Sequence, residues 1–152
     1  MKKYFITIIV SLVIGFFLSY FVITEYTDKK GVTVYKEGQM LYFFKYNEFN
    51  SKEEMDKGTI NLESYVYQND DGKYKVYIAI TKNENNIDKI KKYYSDYNLE
   101  VEKYFISNTD YIKSIENLDN ILINTDDQTV IGEIIIQGLN NYEEVVLNVS
   151  KD

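Results

Sequence analysis

The chain has 152 residues and a formal net charge of −7, with 24 acidic residues against 17 basic ones. It contains neither cysteine nor histidine, which excludes disulfides, thiolate metal sites and histidine-based catalysis. The acidic balance is unfavourable for binding nucleic acid. We therefore expect no catalytic residues, no metal, no cofactor and no nucleic-acid partner.

Residues 1–25 are predicted to be an N-terminal membrane anchor. Lys2 and Lys3 precede an apolar run from Tyr4 to Ile23, and no A-x-A-like cleavage site follows that run. At about 1.5 Å per residue, a helix of this length crosses a hydrocarbon core of roughly 30 Å. The two lysines favour a cytoplasmic N-terminus. The prediction is an uncleaved signal anchor in a bacterial cell membrane, with a single pass and the C-terminal domain outside the cytoplasm.

Small residues recur along one side of the apolar run. Ser11, Gly15 and Ser19 are spaced four apart, a pattern that favours close packing of two membrane helices. The alternative is that such residues occur in any membrane helix. A polar connector, residues 26–38, then leads to the rest of the chain.

The periodicity of residues 39–107 predicts an α+β domain with the element order βαββαβ. Ser51 and Glu54 form a capping box for the first helix, Asn83 caps the second, and Asn69–Gly72 is a hairpin turn with Asp70-Asp71-Gly72 at its tip. The strand-like segments are 39–46, 65–68, 74–80 and 99–106. Two strand–helix–strand halves joined by a hairpin give a four-stranded antiparallel sheet with both helices on one face.

Residues 108–152 are predicted to be a helical C-terminal extension with two helices. Tyr111, Ile115 and Leu122 share one face of the first helix, and a capping box at 125–128 opens the second. Residues 129–136 are so rich in β-branched side chains that a strand is the alternative there.

Two motifs of the sheet resemble a known family. Residues 44–49 followed by Ser51, and residues 74–81 followed by Asn83, are similar to the two strand-to-helix motifs of the SPOR (sporulation-related repeat) domain. The resemblance implies a ferredoxin-like fold on a membrane-anchored envelope protein. It also implies binding of peptidoglycan glycan strands through the sheet face that the helices leave open. Lys45 stands where the family has a glutamine, and Asn47 stands where it has a glycine.

Strand alternation assigns the residues of that open face. Phe44, Tyr46, Val76, Ile78 and Ile80 are expected to point at the two helices. The opposite face then carries the candidate glycan-binding residues, with rings for sugar CH faces and polar groups for hydroxyls: Phe43, Lys45, Asn47, Lys75, Tyr77 and Tyr104, with Glu102 as a second candidate from the last strand. The alternative is that the C-terminal helices cover these rings.

Three functions are consistent with the sequence. The first is a membrane-anchored, non-catalytic envelope protein that binds peptidoglycan glycan. The second is an extracytoplasmic protein–protein interaction module of the same fold, with another envelope protein as its partner and no glycan binding. The third is a hydrolase built on carboxylates alone, which would need two of them about 5–9 Å apart in one cleft.

Overall fold

The computed structural model describes residues 38–147. The four strands are β1 (Gln39–Phe49), β2 (Val66–Asp70), β3 (Lys73–Thr81) and β4 (Glu100–Ile106). The four α-helices are α1 (Lys52–Gly58), α2 (Ile87–Tyr93), α3 (Thr109–Asn124) and α4 (Gln128–Tyr142), with a 3-10 turn at Glu84–Asn86 and a π-turn at Glu143–Leu147.

The predicted fold class, which included a transmembrane helix, is corrected to an α+β domain for the part of the chain that the structure describes. Within residues 38–147, no helix combines the length and the apolar character needed to cross a membrane. The longest, α3, has 16 residues, about 24 Å against a hydrocarbon core of roughly 30 Å. The class supported is an α+β domain with a four-stranded antiparallel sheet. The apolar run 4–23, with Ser11, Gly15 and Ser19, lies outside the described residues.

The sheet has the strand order β2-β3-β1-β4, and every neighbouring pair is antiparallel. This is the arrangement that two interleaved strand–helix–strand halves produce. The β2–β3 hairpin turns at Asp71 and Gly72, whose φ angles of 50° and 83° lie in the left-handed region. The side-chain oxygen of Asn69 accepts a hydrogen bond from the Gly72 N–H at 3.1 Å, which stabilises the turn.

Strand β3 contains a bulge at Ile78. Phe44 lies opposite Ala79 and Lys45 lies opposite Tyr77, so Ile78 has no direct partner on β1. Directly opposed residues of an antiparallel pair point to the same face of the sheet. Tyr77 therefore shares a face with Lys45, as predicted, but the extra residue shifts the alternation of β3 beyond it.

Strand β1 carries a matching irregularity at Tyr46, because Asn47 lies opposite Val76. Because of the two bulges, the predicted orientations of Ile80 and Asn47 are wrong. Ile80 lies opposite Phe43 and shares its face, which we name the Phe43 face. Asn47 shares the other face with Val76, and we name that side the Phe44 face.

Helices cover both faces of the sheet. On the Phe44 face, α1 packs on β1 and β3, and the ring of Phe49 lies so close to Gly58 that an added Cβ would be 2.4 Å from it. On the Phe43 face, α4 packs along β3, and its Tyr142 ring contacts Phe43. The C-terminal helices thus cover the face that the sequence left undecided.

Residues 128–142 are helical, in spite of their β-branched content. The carboxylate of Asp127 accepts hydrogen bonds from Thr129 N at 2.9 Å and Val130 N at 3.3 Å. This cap replaces the predicted capping box that began at Thr125. The helix buries one continuous face against the sheet and α3, formed by Ile131, Ile134, Ile135, Leu139 and Tyr142.

Candidate functional site

Four of the six predicted site residues form one cluster on the Phe43 face, with Tyr142 as a fifth member. The ring of Phe43 lies 5.5 Å from Tyr77, 5.1 Å from Tyr104 and 5.3 Å from Tyr142, centroid to centroid. All three contacts are edge-to-face, the geometry that the ring quadrupole favours. Lys45 completes the predicted four at the polar side of the cluster.

Glu102 is the centre of the polar side. It accepts hydrogen bonds from Lys45 Nζ at 2.8 Å, from the Tyr77 hydroxyl at 2.8 Å and from the Tyr104 hydroxyl at 2.5 Å. Lys45 also forms an ion pair of 2.6 Å with Glu100. Strand alternation places Glu100, Glu102 and Tyr104 on one side of β4. Glu100 and Glu102 therefore contact Lys45, and Glu102 and Tyr104 contact Tyr77.

The ionisation of this cluster follows from its hydrogen bonds. Partial burial raises the pKa of Glu102, but the hydrogen bonds from Lys45, Tyr104 and Tyr77 outweigh it and lower the pKa to about 2. Hydrogen bonds to Glu100 and Glu102 raise the pKa of the Lys45 ammonium. Burial raises the pKa of Tyr77 and of Tyr104. At neutral pH the cluster therefore holds a carboxylate, an ammonium and two neutral phenols.

Burial decides what these residues can contact. Phe43 and Tyr77 are 0% exposed, so neither presents a ring face to a ligand. The side chains of Lys45 and Glu102 are 17% and 26% exposed, and each is already hydrogen-bonded to the other. The cluster is therefore arranged to join the sheet to α4, with only its polar rim at the surface.

The remaining two predicted residues make no hydrogen bond to this cluster, and only Lys75 lies near it, close enough for its charge to act on Tyr104 and Glu102. Asn47 is exposed on the Phe44 face, where its side-chain oxygen accepts a hydrogen bond from Glu48 N at 2.8 Å. Lys75 is on the Phe43 face, and its ammonium lies 3.5 Å from Asp70. The sequence prediction missed Tyr142, although its place on the apolar face of α4 was a signal that it would be buried.

The outer edge of β4 is a second surface, which sequence reasoning did not identify. Among residues 38–147, β4 pairs with β1 and with no other strand. At its end Phe105 lies opposite Met40, and the two side chains are 57% and 49% exposed. We name the outer backbone of β4, with Met40 and Phe105, the β4 edge surface.

The fold holds this apolar pair at the surface. A Cβ at Gly38 would lie 2.3 Å from the Phe105 ring, so the absence of a side chain at Gly38 lets the ring lie against the backbone. Beside it, the Lys103 ammonium sits 4.9 Å from the centre of the Tyr42 ring, a cation–π contact. Phe105 is therefore a partly exposed ring at a strand edge that no other strand of residues 38–147 occupies.

Comparisons of the chain with protein-family models, with curated proteins and with solved structures gave no match.

Proposed function

We propose that the domain of residues 38–147 is a non-catalytic protein-binding module that takes an extended segment of another envelope protein along the β4 edge surface. The observation that carries this proposal is the outer edge of β4, with which no other strand of residues 38–147 pairs, next to the exposed Phe105 and Met40. In such β-augmentation, main-chain hydrogen bonds provide affinity and side-chain contacts on alternate residues provide specificity.

The backbone of β4 suits this role. The strand has seven residues, about 23 Å of edge, and its register with β1 is regular from Gln39–Ile106 to Lys45–Glu100. Exposed edges are commonly protected by lysine, by proline, by a bulge or by an inward-pointing charge. The lysine of β4, Lys103, has its ammonium over the Tyr42 ring of β1. The chain has no proline, and β4 has no bulge. Both glutamates of β4, Glu100 and Glu102, form ion pairs with Lys45 at the start of the strand. The Phe105 end of the strand is therefore accessible.

The surface also indicates the chemistry of the partner. An added strand would place an apolar side chain beside Phe105 and Met40 on the Phe44 face. On the Phe43 face it would pass Glu100, whose side chain is 69% exposed. A segment with alternating apolar residues and a lysine or arginine near the Glu100 end fits both contacts. The net charge of −7 favours a neutral or basic partner in the same way.

The glycan-binding function that the family resemblance implies requires the rings of Phe43 and Tyr77 at the surface. Both are fully buried, and this is why we propose the protein-binding alternative. Location at the bacterial cell membrane, with this domain outside the cytoplasm, is a separate proposal that is supported by the sequence of residues 2–23 alone.

Site-specific crosslinking in cells tests the protein-binding proposal. A photo-crosslinking phenylalanine derivative at Phe105 should capture one discrete partner. The same group at Ile60, which is 80% exposed in a loop away from β4, should not. A Phe105→Lys variant should lose the partner in co-purification while Ile60→Lys keeps it. Equal capture from both positions, or full retention by Phe105→Lys, would contradict the proposal.

A further inference from the structure

The three charged residues of β4 differ in how far the fold already uses them. Glu102 accepts three hydrogen bonds within the cluster on the Phe43 face. Glu100 forms an ion pair of 2.6 Å with Lys45, although its side chain is 69% exposed. Lys103 is exposed and forms no ion pair with another residue of 38–147. Its ammonium is therefore the charge of β4 that is open to an ion pair with a partner.

Lys103 lies on the Phe44 face between two apolar positions. Strand alternation places Val101, Lys103 and Phe105 on the same side of β4. Tyr42 lies directly opposite Lys103 on β1, and its ring centre is 4.9 Å from the ammonium. This cation–π contact keeps the ammonium on the Phe44 face, beside the position that a side chain of an added strand would take.

A strand added to the β4 edge surface would place one residue directly opposite Lys103. The Cβ atoms of directly opposed residues are about 4.5–5.5 Å apart, where opposite charges stabilise the pairing and like charges destabilise it. On the same face, the flanking residues of the added strand would meet Val101 and Phe105. On the Phe43 face, a basic residue would meet Glu100, about 10 Å along the strand from Lys103.

Lys103 also disfavours a second copy of this chain as the added strand. A two-fold symmetric antiparallel pairing of two β4 strands over their full length is centred on Lys103, because it is the middle one of the seven residues. The two lysines would then lie directly opposite each other, which destabilises the pairing. An edge lysine is one way in which proteins avoid pairing between identical edges. The edge therefore favours a strand from a different protein.

We propose, on the basis of the protein-binding function proposed above, that Lys103 selects the partner by favouring an acidic residue directly opposite it. Every strand pair of this sheet is antiparallel. An added antiparallel strand would have the order apolar, any, acidic, any, apolar, basic. Its four specified residues meet Phe105, Lys103, Val101 and Glu100 in turn. Charges placed in this way determine specificity and register more than overall affinity.

Two synthetic peptides with blocked ends and a fluorescent dye test this selection. One has the sequence Thr-Val-Thr-Glu-Thr-Val-Lys, and the other has lysine in place of the glutamate. Fluorescence anisotropy measures their binding to the full-length protein in a maltoside detergent at low ionic strength, where charge pairs are least screened. The glutamate peptide should bind about threefold to tenfold more tightly. The net charge of −7 by itself favours the lysine peptide, so this preference would report the local contact.

Variants make the test specific to Lys103. Lys103→Glu should reverse the order of the two peptides, and Lys103→Gln should abolish the preference for the glutamate peptide. Lys113→Glu, at an exposed lysine of α3, is the matched control and should keep the order of the parent. A thermal melt of each variant checks that the fold is retained.

The possible failures of the selection and of the edge-binding function are distinguishable. Equal affinity of both peptides for the parent, or the order of the parent retained in Lys103→Glu, would overturn the selection by Lys103 and leave edge binding intact. If neither peptide binds the parent, the edge-binding function is contradicted and the selection with it.

Discussion

The ring of Tyr142, on α4, lies edge-to-face against the ring of Phe43, on β1, with centroids 5.3 Å apart. Tyr142 is 3% exposed and also packs on Tyr111, whose hydroxyl donates a hydrogen bond to the Gly138 carbonyl. This contact closes the sheet face on which the predicted glycan site lay. It connects the C-terminal helices to the central strand, so the helices belong to the same hydrophobic core as the sheet.

Removing this contact should destabilise the domain. Tyr142→Ala deletes a buried ring that packs on Phe43 and Tyr111 and should cost about 3–5 kcal/mol of unfolding free energy, as for other buried aromatic truncations. Urea denaturation followed by circular dichroism measures the difference. Tyr67→Ala, which truncates a largely exposed ring, should cost much less. A Tyr142→Ala variant as stable as Tyr67→Ala would show that α4 does not close this face.

The bulge at Ile78 brings Ile80 onto the Phe43 face, which the C-terminal helices cover. Ile80 lies on the Phe43 face and is 4% exposed, so Ile80→Asp should unfold the domain. An unpaired buried carboxylate costs several kcal/mol, against a total stability of about 5–15 kcal/mol. Asn47→Asp, at an exposed position on the other face, should leave the melting temperature nearly unchanged. The opposite ranking in a thermal melt would contradict the burial of Ile80 and the exposure of Asn47.

Glu102 should make the unfolding free energy of the domain depend on pH in the acidic range. Its pKa is lowered in the folded protein, from an ordinary 4.5 to about 2, so its stabilising contribution is complete above pH 4.5 and is lost as the pH falls towards 2. In Glu102→Gln the unfolding free energy should fall less steeply over that interval. Lys45→Met, which removes the ammonium partner, should also flatten the fall. Curves parallel to that of the parent would show that the Lys45–Glu102 pair does not form.

Asp119 should be the most sensitive acidic residue of the helices. Its buried carboxylate accepts hydrogen bonds from Lys82 N at 2.8 Å and Asn83 N at 3.0 Å, and from the side chains of Thr81 and Asn86. Asp119→Ala leaves these donors without an acceptor, at about 1–3 kcal/mol for each one that stays buried. Asp126→Ala, at a fully exposed side chain, should change the unfolding free energy by less than about 1 kcal/mol. Similar losses in the two variants would contradict the structural role of Asp119.

Much of the sheet could be predicted from local patterns. The element order determines the strand order β2-β3-β1-β4, because crossover connections and the hairpin leave few alternatives. The Asn69–Gly72 turn and the Ser51 cap have strong local signals, and both are present: Ser51 Oγ accepts a hydrogen bond from Glu54 N at 3.2 Å. These features depend on neighbouring residues only.

The features that sequence reasoning missed depend on distant contacts. Neither bulge contains a glycine or proline that would mark it, so the wrong orientations of Ile80 and Asn47 followed from unbroken alternation. The burial of Phe43 depends on Tyr142, almost one hundred residues later in the chain. The exposure of Phe105 depends on the position of β4 at the end of the described strand order β2-β3-β1-β4. The SPOR resemblance remains a prediction from two motifs.

Amide hydrogen exchange on β4 tests the central claim, that this strand edge binds a partner, most directly. The full-length protein is compared with and without the partner captured through Phe105. We predict that the amides of residues 100–106 that face outward become protected in the complex, while those of α3 exchange at the same rate as before. Protection confined to α3 or to the β2–β3 hairpin, with β4 unchanged, would contradict the account.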